Sequence, residues 1–370
     1  MALASNALIL NAGSGTLKWS LFDADDQLLA TATEPWCSDA AAARREQVAQ
    51  LLAKVGKPSG VGHRVVHGGP WFRASVCIDD AVRDHLEALR EIDPLHVDAA
   101  LIGIDAIAAE YPDLIQTASF DTAFHATLPP PAAAYSLPYA WSERWQLRRY
   151  GFHGLSVAYA VWRCGELLGA LPRRLIVCHL GSGCSVTAVE RGVSVDTTMG
   201  FTPLEGMTMA TRAGSIDPGL IIYLQRHCGV SVDELDDALN HRSGLLGLSG
   251  VSSDLRAVIA AAESGNVRAA LARSHFIHDA RRAVGAMYGV LGGCDALVFT
   301  GGIGEHQPGV RSGIAAALEG GGLTLDASAN TATGDLDADI ADPDSRIRAL
   351  VIGAREDLVV LRDLRALSKG

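Results

Sequence analysis

The sequence predicts an α/β protein built from two duplicated α/β domains that face a cleft. Three observations carry this. The chain has 370 residues, enough for two domains at about 100–200 residues each. Short apolar runs alternate with helical patterns along the whole length. And each half opens on the same device, an apolar run broken by a glycine-rich turn and followed by a second run.

In the first half, Ala7 to Leu10 runs into Asn11-Ala-Gly-Ser-Gly-Thr16, and Trp19 to Phe22 follows Lys18, giving strand, tight turn and strand. Residues 39–55 read as a helix and Val61 to Val66 as a strand ending in His67-Gly-Gly69. Asp79 to Leu89 and His96 to Glu110 read as helices, and Ile115 to Phe120 as a strand closing on Asp121. The second half repeats the theme: Leu175 to Leu180, a turn at Gly181-Ser-Gly-Cys-Ser185, then Val186 to Val189. Helices are expected over Asp217 to Cys228, Val232 to Leu239 and Asp254 to Leu291, the last interrupted near Ser264-Gly265. A strand over Ala296 to Thr300 enters Gly301-Gly-Ile-Gly-Glu305, and Arg348 to Ile352 and Asp357 to Leu367 read as a final strand and helix. The expected division is 1–124 plus 357–370 for one domain, with the last helix returning to it, and 125–356 for a nucleotide-binding domain.

Composition narrows the function. Apolar residues make up 48% and charged residues 20%, so a sizeable core can be buried. A net charge of −11 argues against nucleic acid or an anionic membrane as partner. Seven cysteines show neither a CxxC pair nor zinc spacing and read as reduced thiols. The opening MALASNALILNAGSG lacks a basic n-region, and no apolar run reaches 18 residues. A soluble cytoplasmic protein is expected.

The turn from Asn11 to Lys18 can cradle phosphate oxygens through backbone N–H groups and hydroxyls. Alone, it reads more simply as an ordinary hairpin. A second turn of the same design, His179-Leu-Gly-Ser-Gly-Cys-Ser185, makes the phosphate reading harder to dismiss. Neither is a Walker A loop, and Gly301-Gly302-Ile303-Gly304 lacks the dinucleotide spacing. Its glycines better suit a backbone lying close to a flat ring and ribose. Arg64 and Arg212 supply guanidinium forks that match the equatorial oxygens of a phosphoryl group in transfer. Asp121 and Glu356 stand at strand ends, where Mg²⁺ ligands or a polar network sit. His153 and His179, each taken alone, read first as structural histidines. The residues by themselves support an α/β phosphotransferase.

Eight strings in order resemble the acetate kinase family: Leu10-Asn-Ala-Gly-Ser14, Gly62-His-Arg-Val-Val-His-Gly-Gly69, Ser119-Phe-Asp-Thr-Ala-Phe-His125, Arg149-Tyr-Gly-Phe-His-Gly154, Cys178-His-Leu-Gly181, Asp196-Thr-Thr-Met-Gly-Phe-Thr-Pro-Leu-Glu-Gly206, Ser243-Gly-Leu-Leu-Gly-Leu-Ser-Gly-Val-Ser-Ser-Asp254 and Phe299-Thr-Gly-Gly-Ile-Gly-Glu305. The resemblance implies the actin-like (ribonuclease H-like) fold, a homodimer, and reversible ATP-dependent phosphorylation of acetate to acetyl phosphate. It implies catalytic roles for Arg64, Asp121, His153 and Arg212, and an acyl pocket of Val66, Leu95, Phe152 and Pro203. It places Asn11, Ser14, Thr16, Lys18, His179, Gly181, Ser182 and Gly183 along the phosphates. Asp254, Leu255, Arg256, Gly302, Ile303, Gly304 and His306 fall near the adenosine, and Asn11 and Glu356 near Mg²⁺, with Mn²⁺ an alternative. A propionate kinase, and a non-catalytic nucleotide-binding relative of actin, are the other readings. Six features depart from the family pattern: Gly15-Thr16 in the first turn where serines are usual, Ser182 and His306 in place of Asn, Val157 in place of His, Val97-Asp98 in place of Asn-Pro, and a shortened segment between residues 20 and 60.

Overall fold

A computed structural model of the chain describes residues 6–13, 15–38, 40–92, 94–332 and 337–369, the side chains of residues 94–96 excepted. The backbone clusters into two units, Met1–Ala126 with Arg355–Gly370, and Thr127–Ala354.

The first unit holds strands β1 (Ala7–Ala12), β2 (Thr16–Phe22), β3 (Leu28–Pro35), β4 (Gly60–Val65), β5 (Val76–Cys77) and β6 (Gln116–Phe120), in the order β3-β2-β1-β4-β6-β5. The second holds β7 (Arg174–Leu180), β8 (Cys184–Glu190), β9 (Val193–Thr197), β10 (Ala296–Thr300), β11 (Ala338–Asp339) and β12 (Arg348–Val351), in the order β11-β12-β10-β7-β8-β9. Read from opposite edges, the two sheets follow one plan. An antiparallel meander of three strands comes first, then two parallel neighbours, then a two-residue antiparallel edge. The second sheet keeps the same senses through β7, β8, β9, β10 and β12. The duplicated α/β class read from the sequence is therefore present.

β1 is buried almost throughout, as a central strand covered on both faces must be. On one face Leu8, Leu10, Leu17 and Trp19 pack with Val48, Leu51 and Leu52 of the helix Ala41–Val55, and with Ala99 and Ile107 of the helix Pro94–Glu110. The final helix, Glu356–Leu367, lies so close to β4 that a β-carbon at Gly62 would stand 2.7 Å from Val360 Cγ1. Gly62 is thus required by close packing.

In the second unit the alanine-rich stretch divides into Leu255–Glu263 and Val267–Leu291, because Asn266 accepts from Ala269 N–H (3.0 Å) and caps the second helix. Ala269, Ala272, Phe276, Ala280, Val284 and Met287 form its buried stripe at helical spacing. Sequence reasoning passed over the helix Gly154–Leu167, whose residues are buried on most sides and show little period, and the short edges β5 and β11. Val157, the departure from a family histidine, is fully buried in that helix. Gly301–Glu305 is no open turn: β10 passes directly into the helix Gly301–His306, with Gly301 at φ +77°. A β-carbon there would meet the Leu180 carbonyl oxygen at 2.7 Å. Among the described residues no helix is long and apolar enough to cross a membrane.

His63 on β4 is buried, its Nε2 2.8 Å from Gln116 Oε1. Burial, partly opposed by Gln116, lowers its pKa from 6.5 to about 4. The unfolded chain takes up this proton near pH 6.5 and the folded one only near 4. The contribution to stability is therefore present above pH 6.5 and lost as the pH falls to 4, about 3 kcal/mol in all. Urea unfolding at pH 7 and pH 4.5 should show a smaller acid loss in His63→Gln than in the wild type; equal losses would count against this assignment.

Candidate active site

In the first unit, parallel pairing sets Leu10 beside His63, Arg64 beside Ser119 and Val65 beside Phe120. Asn11, Arg64 and Asp121 are thereby brought to the carboxyl ends of three adjacent strands, where open α/β sheets bind ligands. Arg64 Nε donates to Asp121 Oδ1 (3.0 Å), Nη2 donates to Asp121 Oδ2, and Nη1 donates to Asn11 Oδ1 (3.0 Å). Glu356, the first residue of the last helix, places Oε2 3.2 Å from Arg64 Nε. The sequence assigned Glu356 to the other domain; the chain returns at Arg355, so Glu356 belongs with Arg64. Asp121 is 1% exposed and its own N–H donates to the Val65 carbonyl. A bidentate fork onto a buried carboxylate fixes the plane of the guanidinium.

Lys18, on β2, pairs directly opposite Asn11 on β1, on the same face of the sheet, and is exposed. In the turn between them the Gly13 N–H donates to the Thr16 carbonyl (2.8 Å), so that donor closes the turn rather than facing outward. Trp36 fastens the turn from behind: its indole N–H donates to the Gly13 carbonyl (2.7 Å) and its backbone N–H to that of Gly15 (3.2 Å). Ser14 and the side chain of Leu95 lie outside the described residues.

The second unit gathers a different set. His153 caps the helix Gly154–Leu167 in the left-handed region, φ +60°, an unusual backbone for this residue type and one that concentrates at functional positions. Its Nδ1 lies 3.0 Å from Ser185 Oγ, and His179 Nδ1 lies 2.8 Å from Ser156 Oγ. The two imidazoles stand 4.1 Å apart at 31°. Both serines are buried, so each hydroxyl holds one ring edge and the orientation of that ring. A β-carbon at Gly183 would lie 3.0 Å from His153 Nε2 and 3.5 Å from Arg212 Nη1, so this glycine is where the histidine, the arginine and the turn converge. Arg212 Nη1 also donates to the Pro203 carbonyl (3.3 Å). As in the first turn, the first glycine N–H closes inward, Gly181 onto the Gly183 carbonyl (2.9 Å). The proposed cradles thus use fewer outward N–H groups than the sequence alone suggested.

Beside this turn opens a cavity of about 560 Å³, a size typical of small-molecule sites. It is lined by the sequence candidates Gly181, Ser182, Asp254, Leu255, Arg256, Gly302, Ile303 and His306, together with Ala210, Ser253 and Gln307, which the sequence did not single out. Gly304 does not line it; that residue is buried and its carbonyl accepts from Arg311 Nη1 (2.9 Å). Asp254 caps its helix through Arg256 N–H (2.9 Å) and pairs with the Arg256 guanidinium, which holds the Asp254 carboxyl below its ordinary range. Glu305 Oε1 accepts from the N–H groups of both Gly301 and Ala354 (2.9 Å each), tying the start of that helix to the strand end beside it. Of the acyl-pocket candidates, Val66 lies in the first unit and is half-buried; Phe152, 1% exposed, and Pro203, half-buried, lie in the second.

Among known proteins, the model of the acetokinase family matches residues 39–362. The acetate kinase of Nostoc punctiforme is 42% identical over 394 aligned positions, covering 95% of this chain and 97% of its own. The solved acetate kinase of Porphyromonas gingivalis is 33% identical with a TM-score of 0.91, covering 99% of this chain and all of its own. A propionate kinase from Francisella tularensis is 34% identical with a TM-score of 0.89, over 97% and 98% of the two chains. With a family match over most of its length and whole-chain agreement in fold, this chain belongs to the acetokinase family.

Proposed function

We propose that this chain transfers the γ-phosphoryl group of ATP to the carboxylate of acetate, reversibly, to form acetyl phosphate and ADP. The observation that carries the reading is the convergence of His153 Nε2 and Arg212 Nη1 on Gly183, beside a cavity large enough for a nucleoside. Adenosine would occupy that cavity, with Gly302 and Ile303 against the base and ribose and the turn at Gly181–Gly183 toward the phosphates.

Acetate is already an anion at neutral pH and needs no general base. The barrier lies in bringing two anions together in line, and catalysis is alignment and charge neutralisation. Arg212 and Arg64 supply positive charge for the acyl carboxylate and for the equatorial oxygens in flight. Asp121 holds Arg64 in its plane, and His153, its Nδ1 edge held at Ser185, directs Nε2 to the transferring group. In the second unit, Phe152 and Pro203 would offer apolar surface to the methyl group. No group of three metal-binding side chains occurs among the described residues. This fits Mg²⁺, which takes one or two protein oxygens and completes its shell with phosphates and water. Glu356 and Asn11 are the oxygens on hand, and Mg²⁺ or Mn²⁺ between them would offset the triphosphate charge. An unreactive switch or scaffold would have no use for an acyl-anion clamp, and Arg64, Asp121, His153 and Arg212 are all present.

Three further elements belong to the proposal. The two units are the two domains, and the protein works in the cytoplasm as a homodimer. Supporting the dimer, the helix Pro218–His227 buries none of its residues and exposes Leu220, Ile222 and Tyr223.

The test is hydroxylamine capture of the acyl phosphate with ATP, Mg²⁺ and acetate, propionate or butyrate. Acetohydroxamate is expected as the main product; none from any acid would overturn the kinase reading. Propionate is the second reading: the Francisella tularensis propionate kinase is about as similar to this chain as the Porphyromonas gingivalis acetate kinase is. One methylene is worth only about 1–3 kcal/mol in an apolar pocket.

A further inference from the structure

Arg212 has to be held still to act as a clamp, and the segment around it is pinned from a direction that no part of the reaction explains. Within residues 198–216 there is a single acidic side chain, Glu205. Its carboxylate is shared. Oε1 accepts from Arg149 Nη2 (2.6 Å), and Oε2 accepts from the Tyr135 hydroxyl (2.5 Å). Each partner reaches a second point on the same segment. Arg149 Nη1 donates to the carbonyls of Thr198 and Met199 (2.9 Å each), and the Tyr135 oxygen accepts from the Phe201 N–H (2.8 Å). The Tyr150 and Gly151 N–H groups donate to the Gly200 carbonyl between them (3.1 and 3.2 Å).

The carboxylate rests against bare backbone. A β-carbon at Gly200 would lie 1.8 Å from Glu205 Oε2 and 2.2 Å from the Tyr135 oxygen. Burial and the neighbouring carboxylate push the Tyr135 hydroxyl well above its ordinary pKa, so it remains a donor across the working range. Beyond Glu205 the segment closes on itself, Gly206 N–H to Ser215 Oγ (3.2 Å) and Ser215 N–H to the Gly206 carbonyl (2.8 Å). Inside this frame, two residues before Glu205, lies the Pro203 carbonyl that receives Arg212 Nη1.

We infer that Glu205, Arg149 and Tyr135 form a brace that sets the position of the Pro203 carbonyl, and through it the Arg212 guanidinium. Glu205 is then a positioning residue of the phosphoryl-transfer site. Tyr135, Arg149 and Glu205 do not line the cavity assigned to adenosine, so their effect should reach the reaction through Arg212 rather than through contacts to the nucleoside. This rests on the kinase reading above. Displacing a catalytic group by about 1 Å can cost 10²-fold in rate even when the altered residue is distant.

The experiment uses the full chain in the hydroxamate assay, with wild type as the control for the reading itself: an inactive wild type defeats the kinase assignment, whereas an active wild type leaves the brace open to test. Glu205→Gln keeps the shape of the side chain and removes its charge. It should lower kcat by roughly 10- to 100-fold and raise KM for acetate, with KM for ATP within about twofold of wild type. Tyr135→Phe, which leaves the Arg149–Glu205 pair in place, should show the same pattern more weakly and guards against a Glu205 variant that fails to fold. In an Arg212→Lys background, which retains a charge, Glu205→Gln should add little further loss, since its effect passes through Arg212. Wild-type turnover in both single variants, an equal rise in KM for ATP, or full additivity with Arg212→Lys would overturn the brace.

Discussion

Arg212→Ala should lower kcat for acyl phosphate formation by about three to five orders of magnitude, the range over which arginine contacts to a transferring phosphoryl group act. The guanidinium stands 3.5 Å from where a Gly183 side chain would begin, in company with His153 Nε2; on the proposed reading it holds the acyl carboxylate and meets the charge that develops on the moving phosphoryl group. The part of an interaction that strengthens in the transition state lowers kcat when removed and leaves ground-state nucleotide binding in place. ATP affinity, measured by calorimetry, should therefore stay within a few-fold of wild type, because the cavity walls at Gly302, Ile303 and Leu255 are untouched. Turnover within tenfold of wild type would show that the clamp lies elsewhere.

The second large effect is expected at Asp121. This carboxylate is buried and holds Arg64 through two parallel contacts. Asp121→Ala leaves a guanidinium without its main partner, a change that costs about 3–5 kcal/mol for a fully buried pair. Arg64 keeps Asn11 and Glu356 and is 17% exposed, so the lower end of that range applies. The kinetic loss should be larger than the loss of stability implies, about 10²- to 10⁴-fold in kcat, because a tilted guanidinium no longer meets its oxygens in a plane. Asp121→Asn retains the shape and one acceptor and should fall between wild type and Asp121→Ala in both thermal unfolding and kcat. If both variants turn over as wild type does, Asp121 is a folding residue and nothing more.

Much of this was legible in the sequence, for reasons that differ from residue to residue. β1, β4, β6 and β10 are short apolar runs ending in polar or glycine residues, so Asn11, Arg64 and Asp121 could be placed at strand ends from pattern alone. That they meet follows from the parallel register of β1, β4 and β6, which no single strand encodes. Gly302 could be read from its glycine run as backbone close to a flat ring, whereas Asp254, Arg256 and His306 came from resemblance to a family, since nothing in their local spacing speaks of a shared cavity. The Tyr135–Glu205 contact joins residues 70 positions apart, and Trp36 reaches back 23 positions to the first turn. Such contacts leave no periodic mark. The outward-facing amides expected in both turns were overcounted because a tight turn consumes its own first donor.

The close seat of Val360 on Gly62 has a consequence for how the molecule comes into being. The first sheet is translated before residues 127–354, and the helix that covers β4 and carries Glu356 only after them. Residues 127–354 are all available to fold before the opening unit has its covering helix. On the ribosome, the unit begun before the other is completed after it, and until then Arg64 waits without Glu356, which sits in the cover.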